Sequence, residues 1–303
     1  MKKRFEEELT RVFGADRILY NEPMKNHTTF RVGGEVEYFL MPSSVEEIQA
    51  AINLFREYAV PFMAVGNGSN LLVGDKGLEG AVLHLGKNFC EIRVQGMKVS
   101  AQAGALLSVI ANRAAKEALT GLEFAAGIPG SLGGAITMNA GAYGGEMKQI
   151  VKTVCVLTED GQVQTISNEE MEFGYRHSII PGRKLLVLSA ELDLKQGDAE
   201  SICSTMQELA RRRREKQPLE YGSAGSTFKR PEGYFAGKLI MDAGLAGFQI
   251  GGARVSEKHC GFVINAGGAT AQDVVDVMEH VKKTVMEKFS VVLEPEVKLA
   301  GRF

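Results

Sequence analysis

In MKKRFEEELTRVFG, apolar residues recur at helical spacing between charged ones, which predicts a short amphipathic helix over residues 1–13, stopped by Gly14. Residues 31–41 read as a strand. Ser44-Val45-Glu46-Glu47 has the form of a capping box, and Val45, Ile48, Ile52 and Phe55 fall on one face of the helix it opens. Pro61 ends that helix. Short strands follow over 81–85 and on either side of Gln95-Gly96, then a helix over 106–118. VKTVCVLTEDGQVQTIS is a hairpin turning at Asp160-Gly161, the strongest short-range hairpin signal. After a strand over 185–194, the polar break at residues 195–198 predicts a domain boundary. Beyond it come a helix ending in RRRREKQP, a glycine-rich stretch around Ser226, a short helix over 235–242 and the strand-like GFVINAGG. A capped helix over 270–289 and a last strand, VVLEPEVKLAG, complete the chain. Helices and strands mix without regular βαβα alternation, so the class is α+β.

The 303 residues, 45% of them hydrophobic, suffice for two or three cored units. Charges nearly cancel at a net of -2 and a pI near 6.3, so no overall field draws nucleic acid or anionic lipid, and a small partner is expected. Cys90, Cys155, Cys203 and Cys260 are too far apart for a zinc site or a redox dithiol and are expected reduced and packed. No signal-peptide or membrane-spanning run occurs, which predicts a cytoplasmic protein.

GLEFAAGIPGSLGGAITMNAGAYGG, residues 121–145, has a small side chain at almost every other step. Such density either serves tight packing of two elements or leaves backbone amides open to a bound phosphate. VGNGSNLLV presents the same two readings, a surface turn or a diphosphate loop over Gly66, Asn67, Gly68, Ser69 and Asn70. It is no dinucleotide fingerprint, because Leu71 stands where the third glycine would fall, and the chain holds no Gly-Lys-Ser/Thr of a Walker loop.

Taken together, NHTTFRVGG, VGNGSNLLV, GLEFAAGIPGSLGGAITMNAGAYG, GYRHS, SAGSTFKRP, GGARVSEKHCGFVINAGGAT and LEPEV resemble the UDP-N-acetylenolpyruvoylglucosamine reductase (MurB) family, in order and over nearly the whole chain. The resemblance implies an FAD-binding fold of the vanillyl-alcohol-oxidase (PCMH) type over residues 1–195, in subdomains of about 1–58 and 59–195. It implies a C-terminal α+β substrate-binding domain over 196–303. The loop at 66–70 and the strip carrying Gly127, Ser131, Gly133, Gly134, Asn139 and Gly141 would then face the flavin. None of the five histidines or four cysteines lies in either segment, so FAD is expected to be noncovalent.

The implied reaction reduces UDP-N-acetylglucosamine enolpyruvate to UDP-N-acetylmuramate with NADPH, a step of peptidoglycan precursor synthesis, in a monomer. Ser226 matches the family's proton donor, although an arbitrary Gly-Ser pair reads as a turn. Lys229 would favour its alkoxide. Glu296 lies where a period of two puts Leu293, Pro295, Val297 and Leu299 on one face and Glu294, Glu296 and Lys298 on the other, which alone reads as a half-buried strand with a solvated charged face. The resemblance makes Glu296 a protonated carboxyl facing the enolpyruvyl carboxylate, which requires a raised pKa, and leaves Glu294 structural. Arg176 matches the arginine that pairs with the enolate oxygen, a role for a fixed cationic fork. Tyr175 beside it reads as packing. Lys216 matches a lysine near the substrate diphosphate, whereas the arginines at 211–214 wrap around their helix near its favourable C-terminus.

Two departures stand out. Arg230 replaces an asparagine that many members of the family carry. The stretch from Arg176 to Ser226 is too short for the tyrosine-bearing substrate loop of one branch, which places the chain in the loopless branch and leaves the uridine contacts open. A different oxidoreductase of the same fold, acting on a hydroxy acid or lactone, would need no Ser226 donor. A non-enzymatic flavin or UDP-sugar binder would need neither Arg176, Ser226 nor Glu296.

Overall fold

The computed structural model describes all residues from Met1 to Phe303 and divides into two compact units. The first comprises Met1–Tyr20, Tyr38–Asn67 and Gly80–Arg213. Its helix Lys2–Phe13 buries Phe5, Leu9 and Phe13, and Gly14, with φ +72, ends it while its amide still bonds to the Thr10 carbonyl. Helix Val45–Glu57 starts as expected at Ser44, whose hydroxyl accepts from the Glu47 amide. The reciprocal half of the box is not made. Glu47 instead accepts from the Ser43 amide at 2.7 Å and from the Arg17 fork at 2.6 and 2.7 Å. A bidentate guanidinium outcompetes the single amide that a capping box offers.

A five-stranded antiparallel sheet forms the centre of this unit, in the order Val163–Ser167, Val151–Leu157, Leu186–Asp193, Lys98–Gln102, Ile92–Gln95. The hairpin turns at Gly161, where φ is +85. Helix Leu107–Lys116 buries Leu107, Ile110, Ala111 and Ala114 in the unit's core, beside the buried residues of the strip. The expected strand over 31–41 is shorter, Glu35–Leu40, because Arg31 and Gly33 have φ of +58 and +124, outside any strand conformation.

The polar break at 195–198 lies within the first unit. Lys195–Gln196 pairs antiparallel with Leu119–Thr120, and helix Ala199–Lys216 continues past it, so the division falls at Arg213/Arg214. Backbone pairing, which polarity does not reveal, carries the chain through that segment.

The second unit is assembled from Asn21–Glu37, Gly68–Glu79 and Arg214–Phe303. A three-stranded antiparallel sheet, Gln249–Ile250, Ala253–Val255 and Val263–Asn265, accompanies helix Ala271–Phe289, which buries Ala271, Val274, Val277, Met278, Val281 and Val285. That helix has a full capping box between Thr270 and Asp273. The Asp75 carboxylate accepts from the amides of Ala271 and Gln272, at 2.8 and 3.0 Å, as suits a negative charge at a helix N-terminus. Leu71–Val73 pairs in parallel with Lys298–Ala300, which draws the exit of the 66–70 loop into this unit. The expected last strand is confined to Lys298–Ala300, preceded by a single bridge between Phe228 and Pro295. Pro295 has no N–H to extend a ladder, and the period of two fails at Leu299, which is exposed while Leu293 and Val297 are buried. No helix is long and apolar enough to cross a membrane.

Candidate functional site

Arg176 sits at the corner of a tight turn closed by reciprocal backbone bonds between Gly174 and His177, at 3.1 and 3.2 Å. Its φ is +53, a left-handed conformation that costs a non-glycine residue about 1–3 kcal/mol and persists only where the surroundings over-determine it. The surroundings are the strip. Asn139, 1% exposed, donates to the Gly174 carbonyl at 3.0 Å and to Glu146 at 3.2 Å, while its own oxygen accepts from the Lys148 amide at 2.9 Å. The Ser178 hydroxyl donates to the Thr137 carbonyl, and the Arg176 guanidinium to the Gly141 carbonyl at 3.4 Å. Tyr175 is exposed, with the Arg176 guanidinium 5.2 Å from its ring centroid, so it is not the packing residue its neighbours suggest.

Both N–H groups of the Asn139 side chain and its oxygen thus have partners within the protein. Its role is to buttress the Arg176 turn. Asn139→Ala strands the Lys148 amide and leaves the Gly174 carbonyl with the His177 amide as its donor, and it is expected to lower the unfolding free energy by about 2–4 kcal/mol. Urea denaturation measures this, and a loss below about 1 kcal/mol, the net value of one ordinary hydrogen bond, would contradict the buttress.

The strip is bare for two different reasons. A Cβ on Gly66 would stand 2.0 Å from the Ser131 hydroxyl, one on Gly133 3.0 Å from Ala103, and one on Gly141 2.7 Å from the Gly145 carbonyl. Those glycines are required by the protein's own packing. The amides of Leu132 and Gly133 are likewise engaged, by the carbonyls of Ala105 and Ala103 at 2.8 and 2.9 Å, and Ser131 is buried. Gly134 is the opposite case, exposed, with nothing nearer than the Ser131 hydroxyl at 4.0 Å where a Cβ would point. At Gly127, also exposed, the approach is made by the side chain of Arg213 at 3.2 Å. Asn67 is exposed and donates to the Pro129 carbonyl at 2.5 Å, tying the loop at 66–67 to the strip.

Arg213 is a residue the sequence reading passed over. Arg211 and Arg212 pair with Glu208 at 2.8 Å, whereas Arg213 is half-buried with no carboxylate in ion-pair range. Burial lowers its pKa, although a guanidinium stays charged throughout. The signal was available, since Ile202, Met206, Leu209 and Arg213 recur at helical spacing and share one face of Ala199–Lys216. Lys216 stands exposed in the last turn of that helix.

In the second unit, Gly68 has φ +59 and a Cβ there would stand 2.0 Å from the His27 carbonyl, so the loop needs this glycine for itself. Ser69 is half-buried in the turn that follows, and Asn70 bonds through its amide to the Glu296 carbonyl at 3.0 Å. Ser226 is exposed between Gly225, whose φ of +76 rather than any crowding requires glycine, and Thr227, which is wholly buried. Every polar group of Thr227 bonds at 2.8 Å: its amide to the Gly261 carbonyl, its hydroxyl oxygen from the Val263 amide, its carbonyl from the Glu296 amide. Ser226 and Glu296 are therefore held on adjacent backbone segments. His259 braces the Gly261 turn, accepting the Gly261 amide at 3.1 Å on Nδ1, and burial pushes its pKa down, so it is neutral.

Two further residues take different places from those expected. The Lys229 ammonium pairs with Glu294 at 3.0 Å, so a carboxylate engages the lysine expected to support a Ser226 alkoxide. Arg230 lies with its guanidinium 3.9 Å from the Phe235 ring centroid and its Nε donating to the Tyr234 carbonyl at 3.3 Å.

Residues 36–167 match the family model of an FAD binding domain, and residues 217–300 match that of the UDP-N-acetylenolpyruvoylglucosamine reductase C-terminal domain. The UDP-N-acetylenolpyruvoylglucosamine reductases of Lachnoclostridium phytofermentans and Caldanaerobacter subterraneus subsp. tengcongensis are both 51% identical to the chain, each over 97% of it and over 96% and 97% of their own lengths. The crystal structure of the Thermus caldophilus reductase superposes with a TM-score of 0.81 at 36% identity, over 94% of this chain and 99% of that one. A glucose dehydrogenase, Phl p 4.0202, shares the fold at a TM-score of 0.50 and 16% identity, over 65% of this chain and 44% of its own. The expected FAD-binding α+β fold is thus borne out.

Proposed function

The chain belongs to the UDP-N-acetylenolpyruvoylglucosamine reductase family, and on that premise we propose that it reduces UDP-N-acetylglucosamine enolpyruvate to UDP-N-acetylmuramate, with noncovalent FAD and NADPH as reductant. The role is the reductive step of peptidoglycan precursor synthesis, carried out by a cytoplasmic monomer. The observation that carries the reading furthest is the 2.8 Å bond from the Glu296 amide to the Thr227 carbonyl, which holds the segment of Glu296 against the segment that bears the exposed Ser226.

The residues of the first unit suit a flavin dinucleotide. Gly134 and Gly127 present backbone without side chain, and the Arg213 side chain over Gly127 supplies a cation with no internal counter-charge, the donor set that a phosphate-bearing cofactor takes. Asn67, Gly127, Gly134 and Arg213 are the residues that would hold it; Gly66, Ser131, Gly133 and Gly141 shape the wall from behind. The cofactor, when bound, supplies hydride exchange from nicotinamide to carbon 3 of the enolpyruvyl group.

The protein must orient the substrate, stabilise charge and deliver one proton. Charge developing on the substrate carboxylate as the double bond is reduced is met by Arg176, whose main chain the turn fixes and whose guanidinium donates to the Gly141 carbonyl. Glu296, protonated, donates a hydrogen bond to the same carboxylate. The Ser226 hydroxyl transfers its proton to carbon 2, and solvent restores it. Atoms balance: one hydride and one proton add across the double bond, and NADPH becomes NADP⁺. Lys229, joined to Glu294 through both its ammonium and its amide, braces the segment beside Ser226. Tyr175, Lys216 and Arg230 are exposed and are offered as substrate-binding groups, Lys216 for the diphosphate.

The reaction is tested by incubating the FAD-loaded protein with NADPH and the enolpyruvyl nucleotide. Substrate-dependent NADPH consumption and a product heavier by two hydrogens support it; consumption with no such product contradicts it. For the cofactor, Arg213→Gln is expected to weaken FAD binding about 10- to 100-fold, the value of one charge-assisted bond, as read by flavin fluorescence titration. An unchanged dissociation constant would remove Arg213 from the cofactor set.

A further inference from the structure

Asn70 does work that neither its loop nor its neighbours explain. It is half-buried, its φ is not left-handed, and so the turn it closes does not demand asparagine. What its side chain does is reach across to the last segment of the chain, donating from Nδ2 to the main-chain carbonyl of Glu296 at 3.0 Å. Its own carbonyl accepts from the Lys298 amide at 2.9 Å, so Asn70 brackets Glu296 from the C-terminal side. From the other side the Glu296 amide donates to the Thr227 carbonyl at 2.8 Å. The preceding residue is Pro295, which has no N–H to give, and the regular strand begins only at Lys298. The peptide that aims Glu296 is therefore held by Thr227 at one end and Asn70 at the other.

We propose that Asn70 is a positioning residue for Glu296, setting the direction of its carboxyl through the main chain rather than touching the cofactor. The inference rests on the reading of Glu296 as the group that donates to the substrate carboxylate. Without the Asn70 amide the Glu296 carbonyl turns toward water and the residue swings about the Thr227 bond. A displacement on the order of 1 Å in a group that orients substrate costs about 10²-fold in rate.

The experiment is a double-mutant cycle on the FAD-loaded protein, following flavin reoxidation by the enolpyruvyl substrate in single turnover. Asn70→Ala is expected to slow reoxidation about 10- to 100-fold while leaving reduction by NADPH unchanged. On a Glu296→Ala background the same substitution is expected to add no more than about twofold, because a residue that acts only through Glu296 has nothing left to position. Asn70→Asp, isosteric but without the donor, is expected to be as slow as Asn70→Ala and serves where the alanine variant fails to fold. Independent, multiplicative effects of Asn70→Ala and Glu296→Ala would overturn the inference, as would wild-type reoxidation in Asn70→Asp. Glu296→Ala at the wild-type rate would instead remove the role of Glu296, and the inference with it. A wild-type protein that the substrate does not reoxidise would remove the functional reading itself, an outcome distinguishable before any variant is made.

Discussion

Ser226→Ala slows reoxidation of the reduced flavin by the enolpyruvyl substrate about 10²–10⁴-fold, the range of one positioned general acid, and leaves reduction of the flavin by NADPH unchanged. A hydroxyl is a weak acid, so the effect depends on where it is held. Gly225 turns the chain with φ +76, and Thr227, wholly buried and bonded through its amide, carbonyl and hydroxyl, fixes the next residue. Ser226 between them stands exposed on a rigid support. Rapid-mixing spectrophotometry measures both halves of the cycle. Near-wild-type reoxidation in Ser226→Ala would remove Ser226 as the donor, and equal slowing of both halves would mean that the substitution had disturbed cofactor binding instead.

Glu296→Ala is expected to slow the same step about 10²–10³-fold, the range for loss of one preorganised donor at a developing charge, whereas Glu296→Gln is expected to lose far less. The difference between the two variants is the test. If Glu296 acts as a protonated donor, a glutamine amide still donates from nearly the same position; if it acts as a charged base, glutamine fails as completely as alanine. Both variants keep the main-chain bonds to Thr227 and Asn70, so the comparison isolates the carboxyl. Single-turnover rates for the pair decide it, and equal losses in Gln and Ala would contradict the donor role.

Much of the local structure was legible in the chain. Helix Ala271–Phe289 announces itself through its 3.6-residue apolar stripe and the Thr270/Asp273 box, and the hairpin at Gly161 through Asp-Gly between two β-rich runs. The assembly of the second unit was not. Leu71–Val73 finds its partner in Lys298–Ala300, near the far end of the chain, and no local pattern encodes a pairing so distant. Chain segments with ordinary loop chemistry, such as 195–198, likewise change meaning once they find a strand to pair with, here Leu119–Thr120.

The site was legible by resemblance and less so by composition. Small residues in the strip were read as a surface for a cofactor, yet Gly66, Gly133 and Gly141 answer to Ser131, Ala103 and Gly145 within the protein. A glycine chosen for internal approach and one chosen to expose backbone look the same in sequence. Asn139 illustrates the same limit, since a polar residue in a glycine-rich stretch offers hydrogen bonds whichever way it faces. Only the fold shows it turned inward, to the Gly174 carbonyl that holds the Arg176 turn. Asn70 shows a different limit: its partner, the Glu296 carbonyl, lies near the far end of the chain, where no local pattern points.

The most direct measurement is the visible absorption spectrum of the FAD-loaded protein under anaerobic conditions, recorded alone, after NADPH, and after UDP-N-acetylglucosamine enolpyruvate. Bleaching by NADPH followed by full return of the oxidised flavin bands with the enolpyruvyl nucleotide is the predicted result. A flavin that NADPH bleaches and the enolpyruvyl nucleotide leaves reduced would contradict it.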